Sequence, residues 1–118
     1  MTKTMKIGIM SHEDYKKRTI AIAKGKYKPV KGEPKIWFDS IESMAQVLSS
    51  KNMELLKIIQ ESNPRSLAEL ASASGREVSN LSLTLRNMEK CGIVKLSKRN
   101  HSIMPQVQAK DFKVAFGY

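Results

Sequence analysis

The segment Arg76–Val94 limits the possible folds of this chain more than any other stretch of the sequence. Its apolar residues recur at spacings of three, four and three, the periodicity of an α-helix with one buried side. These residues are Val78, Leu81, Leu85 and Met88. Gly92 follows where a helix end favours a left-handed residue, and Ile93 begins a new apolar run. The segment therefore predicts an amphipathic helix that stops at a glycine and continues directly into a strand.

The stretch just upstream predicts a second, shorter helix. Ser66 and Glu69 have the spacing of an N-terminal capping box, and Gly75 lies in the turn before the longer helix. A short capped helix, a turn with glycine and a longer helix form the helix-turn-helix pattern, whose second helix lies in the major groove of DNA. The backbone N–H groups at Ser66 would then meet a phosphate at the start of the first helix.

The outward side of the longer helix carries the candidate DNA-contacting residues, which are mostly hydrogen-bonding or cationic. Together with Arg76 at the start, they are Ser79, Asn80, Leu83, Arg86, Asn87 and Lys90. Leu83 departs from this chemistry, because an apolar side chain stands in the middle of the polar side. Its methyl groups would contact either a thymine methyl in the groove or a protein partner.

A β-hairpin is predicted directly after the longer helix. Apolar residues from Ile93 and from Ile103 suggest two strands, with a turn over residues 97–102, and Pro105 makes the second an edge strand. A hairpin in this place is the wing of a winged helix-turn-helix domain. Its tip carries Lys98, Arg99 and His101, which we expect to contact phosphate or the minor groove. A further strand is expected near the C-terminus.

The predicted fold class is mainly α with a small β-hairpin wing, that is, α+β. Residues 1–35 read as a basic N-terminal arm with a short helix from about Ser11 to Ala23, followed by a lysine-rich stretch, residues 24–35, that contains two prolines and two glycines. The winged helix-turn-helix domain is expected over residues 36–118, with Trp37 and Phe38 as aromatic anchors of its core.

The charge of the chain favours a polyanionic partner. The formal net charge is +10, of which +7 falls within residues 1–36 and +3 within residues 37–118. A field of this sign attracts nucleic acid, and it would also attract an anionic membrane surface. RNA is disfavoured, because the deep, narrow major groove of A-form helices excludes a recognition helix. Double-stranded DNA is therefore the expected partner.

Other classes of function have little support in the sequence. The two histidines are isolated, and the spacings required for a zinc site, a phosphate-binding glycine loop or a catalytic triad do not occur, so we expect neither an enzyme nor a cofactor nor a metal site. The apolar runs are short, so no membrane span is expected. The one cysteine, Cys91, fits a reducing compartment, and the expected location is cytoplasmic and nucleoid-associated.

The residues resemble a known family. The segment SLAELASASGREVSNLSLTLRNMEKCGIV (residues 66–94), with the basic hairpin after it, is similar to the MarR-like winged helix-turn-helix regulators. The segments IGIMSHEDYKKRTIAIAKG and EPKIWFDSIESMAQVLS extend the resemblance to a family of small prokaryotic DNA-binding regulators that includes antitoxins of toxin–antitoxin pairs. The resemblance implies a sequence-specific DNA-binding transcriptional regulator, expected to act as a repressor. It also allows an antitoxin with a cognate toxin as partner.

One alternative remains open from the sequence. A winged helix also serves as a protein-interaction module, in which the polar side of the second helix meets a partner protein and not DNA. For DNA binding we expect a homodimer, because dimers present two recognition helices to a palindromic site. The apolar residues of the N-terminal region and the C-terminal residues Phe112, Val114 and Phe116 are candidates for that interface.

Overall fold

The computed structural model describes residues 3–116, apart from the side chains of Lys3 and Lys110, and has a mixed α+β fold. Along this part of the chain lie five helices and five strands. In order they are β1 (Lys3–Ile9), α1 (His12–Ala23), β2 (Ile36–Phe38), α2 (Ile41–Val47), α3 (Ser50–Ser62), α4 (Leu67–Ser74), α5 (Val78–Lys90), β3 (Val94–Arg99), β4 (Ser102–Val107) and β5 (Ala109–Ala115). The strand content exceeds the sequence prediction, which had one small hairpin as its main β element.

The chain divides into two compact units. The helical unit spans Val47–Lys110, and the sheet unit combines Thr4–Gln46 with the C-terminal segment that starts at Asp111. The boundary predicted between residues 35 and 36 lies inside the sheet unit. The pairing of β1 with β2 joins segments on both sides of that boundary, and a local pattern does not indicate such a contact.

The sheet unit is built around a three-stranded sheet in the order β2-β1-β5. Strands β1 and β2 are parallel, with Ile7 opposite Ile36 and Gly8 opposite Trp37, and α1 is the crossover between them. The buried apolar residues described in this unit include Ile7, Met10, Ile36 and Phe38. Within the described residues, β1 is thus the central strand of a sheet.

The lysine-rich stretch, residues 24–35, has no helix or strand, but side chains from other elements hold it in place. The Lys6 ammonium group donates to the backbone oxygen of Gly32 at 2.7 Å. Arg18 of α1 pairs with Glu33 at 2.9 Å, and the Tyr27 hydroxyl donates to the same carboxylate. The Arg18–Glu33 pair is largely shielded from water, since its side chains are only 17% and 10% exposed.

Trp37 packs within its own unit. The Arg18 guanidinium lies 5.0 Å from the centre of the Trp37 ring, and Tyr15 contacts the same ring with the centroids 6.5 Å apart. Phe38 is buried and Trp37 is half-buried. Both aromatic residues therefore anchor the sheet unit, and not the core of the domain predicted for residues 36–118.

The helical unit contains α3, α4 and α5, followed by the β3–β4 hairpin. One apolar cluster supplies its core, and every member is at most 2% exposed. The cluster comprises Leu55, Leu56, Ile59, Leu70, Leu81, Leu85, Met88, Ile93 and Val94. Ser49 caps α3, and the Ser40 hydroxyl accepts the backbone N–H of Ser43 in the first turn of α2.

Candidate nucleic-acid interface

Two consecutive helices of the helical unit have the predicted caps and turn. The Ser66 hydroxyl accepts the backbone N–H of Glu69 at 3.1 Å and so begins α4. Gly75 ends α4 in the left-handed conformation, with φ of 73°. Helix α5 then begins two residues after Arg76. The Ser66 side chain therefore caps α4. The backbone N–H groups of the first turn of α4, where a phosphate contact is predicted, come directly after it in the chain.

The buried and exposed residues of helix α5 are distributed almost as the sequence predicts. Leu81, Leu85 and Met88 are 0% exposed and form the inner side. Val78 was predicted to lie with them, but it is 45% exposed, because the first turn of α5 extends beyond the core. The outer side is exposed and carries Ser79, Asn80, Leu83, Arg86, Asn87 and Lys90. Leu83 is 63% exposed at the centre of this polar surface.

Arg76 differs from the other predicted site residues, because its guanidinium is engaged within the protein. It donates to Asn80 from Nε at 2.9 Å and from Nη2 at 2.6 Å. It also donates to Thr84 of α5 at 3.0 Å and to Asn52 of α3 at 3.1 Å. Neither Asn52 nor Thr84 was predicted from the sequence. Thr84 lies eight residues after Arg76, on the same side of the helix as Asn80, and that spacing was the available signal.

The C-terminus of α5 positions the hairpin. Gly92 adopts φ of 77°, and its N–H donates to the backbone oxygen of Glu89 at 2.9 Å. The N–H of Ile93 donates to the oxygen of Met88 at 2.9 Å, which completes the Schellman motif. Burial raises the pKa of the Cys91 thiol at this helix end, so the reactive thiolate is disfavoured at neutral pH.

The hairpin turn is tighter than predicted. Strand β3 runs to Arg99 and β4 starts at Ser102, so the loop has two residues and not six. Asn100 and His101 both have positive φ, 48° and 67°, as a type I′ turn requires. Lys98 and Arg99 are therefore strand residues at the tip.

The exposed cations of the hairpin lie on both of its faces. Lys98 and Arg99 are adjacent in β3, so their side chains leave from opposite faces. Lys95 is also exposed and shares a face with Arg99. Lys95 was not predicted from the sequence as a site residue, although the two-residue period of a strand relates it to Arg99. His101 is exposed in the turn.

An open cleft lies between α3 and the start of α5. Lys51, Glu54 and Glu77 line it together with Arg76 and Asn80. Ligand pockets in proteins are mostly apolar with few polar groups, and this cleft is wide and rich in charge. Leu55 and Ile58 also line the cleft, so its wall mixes charged and apolar side chains.

Metal ligands and membrane-spanning helices also bear on the function. No cluster of three or more histidine, cysteine, aspartate or glutamate side chains with a metal-binding arrangement occurs among the described residues. In the same part of the chain, each helix is too short or too polar to cross a lipid bilayer.

Comparison with known proteins identifies a family. A family model with the description HVO_A0114 matches residues 47–114, which is more than half of the chain. The match begins at the first residue of the helical unit and extends through the hairpin into β5. No curated protein and no solved structure gives a significant match. The chain belongs to the HVO_A0114 family.

Proposed function

We propose that the helical unit is a winged helix-turn-helix domain that binds double-stranded DNA in a sequence-specific manner. In this proposal α5 is the recognition helix in the major groove, and the β3–β4 hairpin is the wing beside it. The observation that carries the proposal is the outer side of α5. Its exposed hydroxyl, amide and cationic groups project from a helix whose opposite side is fully buried, as major-groove reading requires.

Charge supports the same assignment. Arg86 and Lys90 are exposed one turn apart on α5, and Lys95, Lys98 and Arg99 follow on the hairpin. Cations arranged along consecutive elements can each contact a phosphate of the DNA backbone. Each such contact favours binding, because it releases condensed counterions. The backbone N–H groups at the start of α4, beside the Ser66 cap, are in our proposal a further phosphate contact.

One observation favours a second candidate. Leu83 and Val78 are large apolar side chains that α5 exposes, at 63% and 45%. A protein partner would bury them, in which case the domain would be a protein-interaction module. DNA also accommodates one such group, since the thymine methyl lies in the major groove.

A salt titration distinguishes the two candidates. Binding of the full chain to duplex DNA should weaken linearly on a plot of log K against log salt concentration, with a slope of about −0.9 for each phosphate contact. A protein complex built on Leu83 and Val78 would depend little on salt. Absence of salt-dependent binding to any duplex would reject the DNA-binding proposal.

Substitutions on α5 test which residues read bases. Arg86→Ala and Asn87→Ala should each cost about 1–3 kcal/mol of binding to the preferred site. Lys57→Ala is the matched control, because Lys57 is an exposed cation on α3 outside the proposed interface. It should change the affinity for all duplexes slightly and alike. A double variant of Arg86 and Asn87 that binds like the wild type would remove α5 as the reader.

The resemblance to small prokaryotic regulators supports a role in transcription. We propose that the protein is a repressor, and that a cognate toxin is a candidate protein partner. A selected DNA site placed across a promoter should reduce transcription when the protein is present. Increased transcription would indicate an activator.

A further inference from the structure

The hydrogen bonds of Asn80 determine which atoms this side chain offers to DNA. Its amide oxygen accepts from Arg76 Nε at 2.9 Å and from Arg76 Nη2 at 2.6 Å. A guanidinium group has donors and no acceptor, so the atom that faces it must be the oxygen and not the nitrogen. The chemistry of Arg76 therefore fixes the orientation of the Asn80 amide.

Arg76 itself is held in place. Its Nη1 donates to the oxygen of Asn52, and the buried Asn52 in turn donates from Nδ2 to the backbone oxygen of Val47 at 3.0 Å. Nη2 of Arg76 also donates to Thr84 at 3.0 Å. The guanidinium thus bridges α3 and α5. Because Asn52 and Thr84 both accept hydrogen bonds from it, its two N–H groups stay in position to donate to Asn80.

This arrangement leaves Asn80 with donors only. An amide oxygen has two lone pairs, and the two N–H groups of Arg76 occupy both. The Nδ2 group remains on an exposed residue in the first turn of α5, and no acceptor for it is found within residues 3–116. The N-terminal residues of a recognition helix are those that reach base edges. Asn80 is therefore a donor where the proposed interface meets the bases.

We propose that Asn80 reads guanine and discriminates against adenine, and that Arg76 is the positioning residue that sets this preference. The inference rests on the proposed DNA-binding function. Asparagine normally pairs with adenine, with its oxygen accepting from N6 and its nitrogen donating to N7. Here the oxygen is occupied. Guanine offers acceptors at both O6 and N7, whereas the N6 amino group of adenine would face the Nδ2 donor with no acceptor between them.

Selection from a randomised duplex library with the full chain tests the inference. The base pair that Asn80 contacts is the one whose preference disappears in Asn80→Ala. At that pair the wild type should prefer guanine over adenine about tenfold. Arg76→Met frees the amide oxygen, so the preference at the same pair should move towards adenine while the other positions stay as they were. Arg65→Met removes an exposed cation elsewhere in the helical unit, and it should keep the guanine preference.

A second variant covers the case in which Arg76→Met does not fold, which thermal unfolding would reveal. Asn80→Asp keeps an acceptor for Arg76 and removes the outward donors, so the guanine preference should be lost in a folded protein. A wild-type preference for adenine at this pair would overturn the inference, and so would an Asn80→Ala variant with the wild-type motif. If no duplex is enriched at all, the DNA-binding proposal itself fails.

Discussion

The Glu89 carboxylate accepts a hydrogen bond from the backbone N–H of Leu96 at 3.3 Å, and this contact links the last turn of α5 to the hairpin. Leu96 lies opposite Pro105, which has no N–H to contribute to the ladder. A proline is tolerated at a pair that exchanges no hydrogen bonds, where the N–H of the opposite residue points away from the partner strand. Glu89 supplies the acceptor for that N–H.

Glu89→Ala should therefore loosen the hairpin relative to α5. We expect a decrease of about 0.5–1 kcal/mol in the free energy of unfolding, because a hydrogen bond at the surface contributes little net energy. The amide of Leu96 should exchange its hydrogen faster, which NMR measures residue by residue.

Glu77→Ala is the matched control for this substitution. It removes the same charge at the other end of α5, where the Glu77 side chain makes no capping hydrogen bond. Exchange at Leu96 should stay at the wild-type rate in this variant. Equal exchange in the Glu89 variant and the wild type would mean that the carboxylate does not hold the hairpin.

The hairpin cations provide a second prediction. Replacing Lys98 and Arg99 by alanine should weaken binding to all duplexes alike and reduce the salt slope by about 0.9 for each phosphate that the variant no longer neutralises. The two single variants should differ, because the side chains leave opposite faces of β3. If the face with Arg99 touches DNA, Lys95 lies on the same face. If the face with Lys98 touches DNA, β3 has no other cation on that face.

Removing Lys24 and Lys26 from the lysine-rich stretch deletes the same charge elsewhere and serves as the comparison. A smaller change in slope is expected there, since that stretch belongs to the sheet unit, where Lys6 and Arg18 hold it in place, and not to the proposed interface. An unchanged slope in the Lys98 and Arg99 variant would exclude the hairpin from the interface.

Local signals in the sequence predicted the helical unit well. The periodicity of Leu81, Leu85 and Met88 marked the inner side of α5, and Ser66 and Gly92 marked a helix start and a helix end. Each of these signals lies within one element or at its end. The prediction that Val78 lies on the inner side was wrong, because a helical wheel does not show how far the core covers the first turn of a helix.

The sheet unit was harder to predict, because it forms through contacts between residues that are far apart in the sequence. Strand β2 has only three residues, and it becomes a strand by pairing with β1 across α1 and the lysine-rich stretch. A strand was predicted near the C-terminus, but its place beside β1 in the same sheet was not. No periodicity within one segment distinguishes these pairings.

The contact between Gly8 and Trp37 gives a third prediction, which concerns stability. These residues are opposite each other in β1 and β2, and a methyl group on Gly8 would overlap the indole ring, with ring atom Cε3 at 2.5 Å and Cζ3 closer still. Gly8→Ala should lower the free energy of unfolding by about 1–3 kcal/mol. Trp37 is the only tryptophan of the chain, so its fluorescence reports directly on the change.

A double-mutant cycle separates this overlap from a backbone effect. In a Trp37→Leu background the smaller side chain leaves room for the methyl group, so Gly8→Ala should cost much less there. Unfolding of both variants in denaturant is followed by circular dichroism. The same cost in both backgrounds would show that the ring is not the obstacle.

The last prediction concerns assembly. A single winged helix covers a short DNA site, and dimers gain specificity by presenting two recognition helices about 34–36 Å apart. In the described part of the chain, β5 lies at one edge of its sheet, and Phe116, just after it, is 61% exposed. Exposed strand edges with apolar side chains are templates for pairing with another chain. We therefore expect a homodimer that pairs through this edge, and Phe116→Lys should convert it to a monomer in sedimentation.

Val30→Lys places the same charge on a residue that is 64% exposed in the lysine-rich stretch, and it should leave the dimer intact. A Phe116 variant that still sediments as a dimer would move the interface away from this edge, and a monomeric wild type would require the protein to bind half-sites singly.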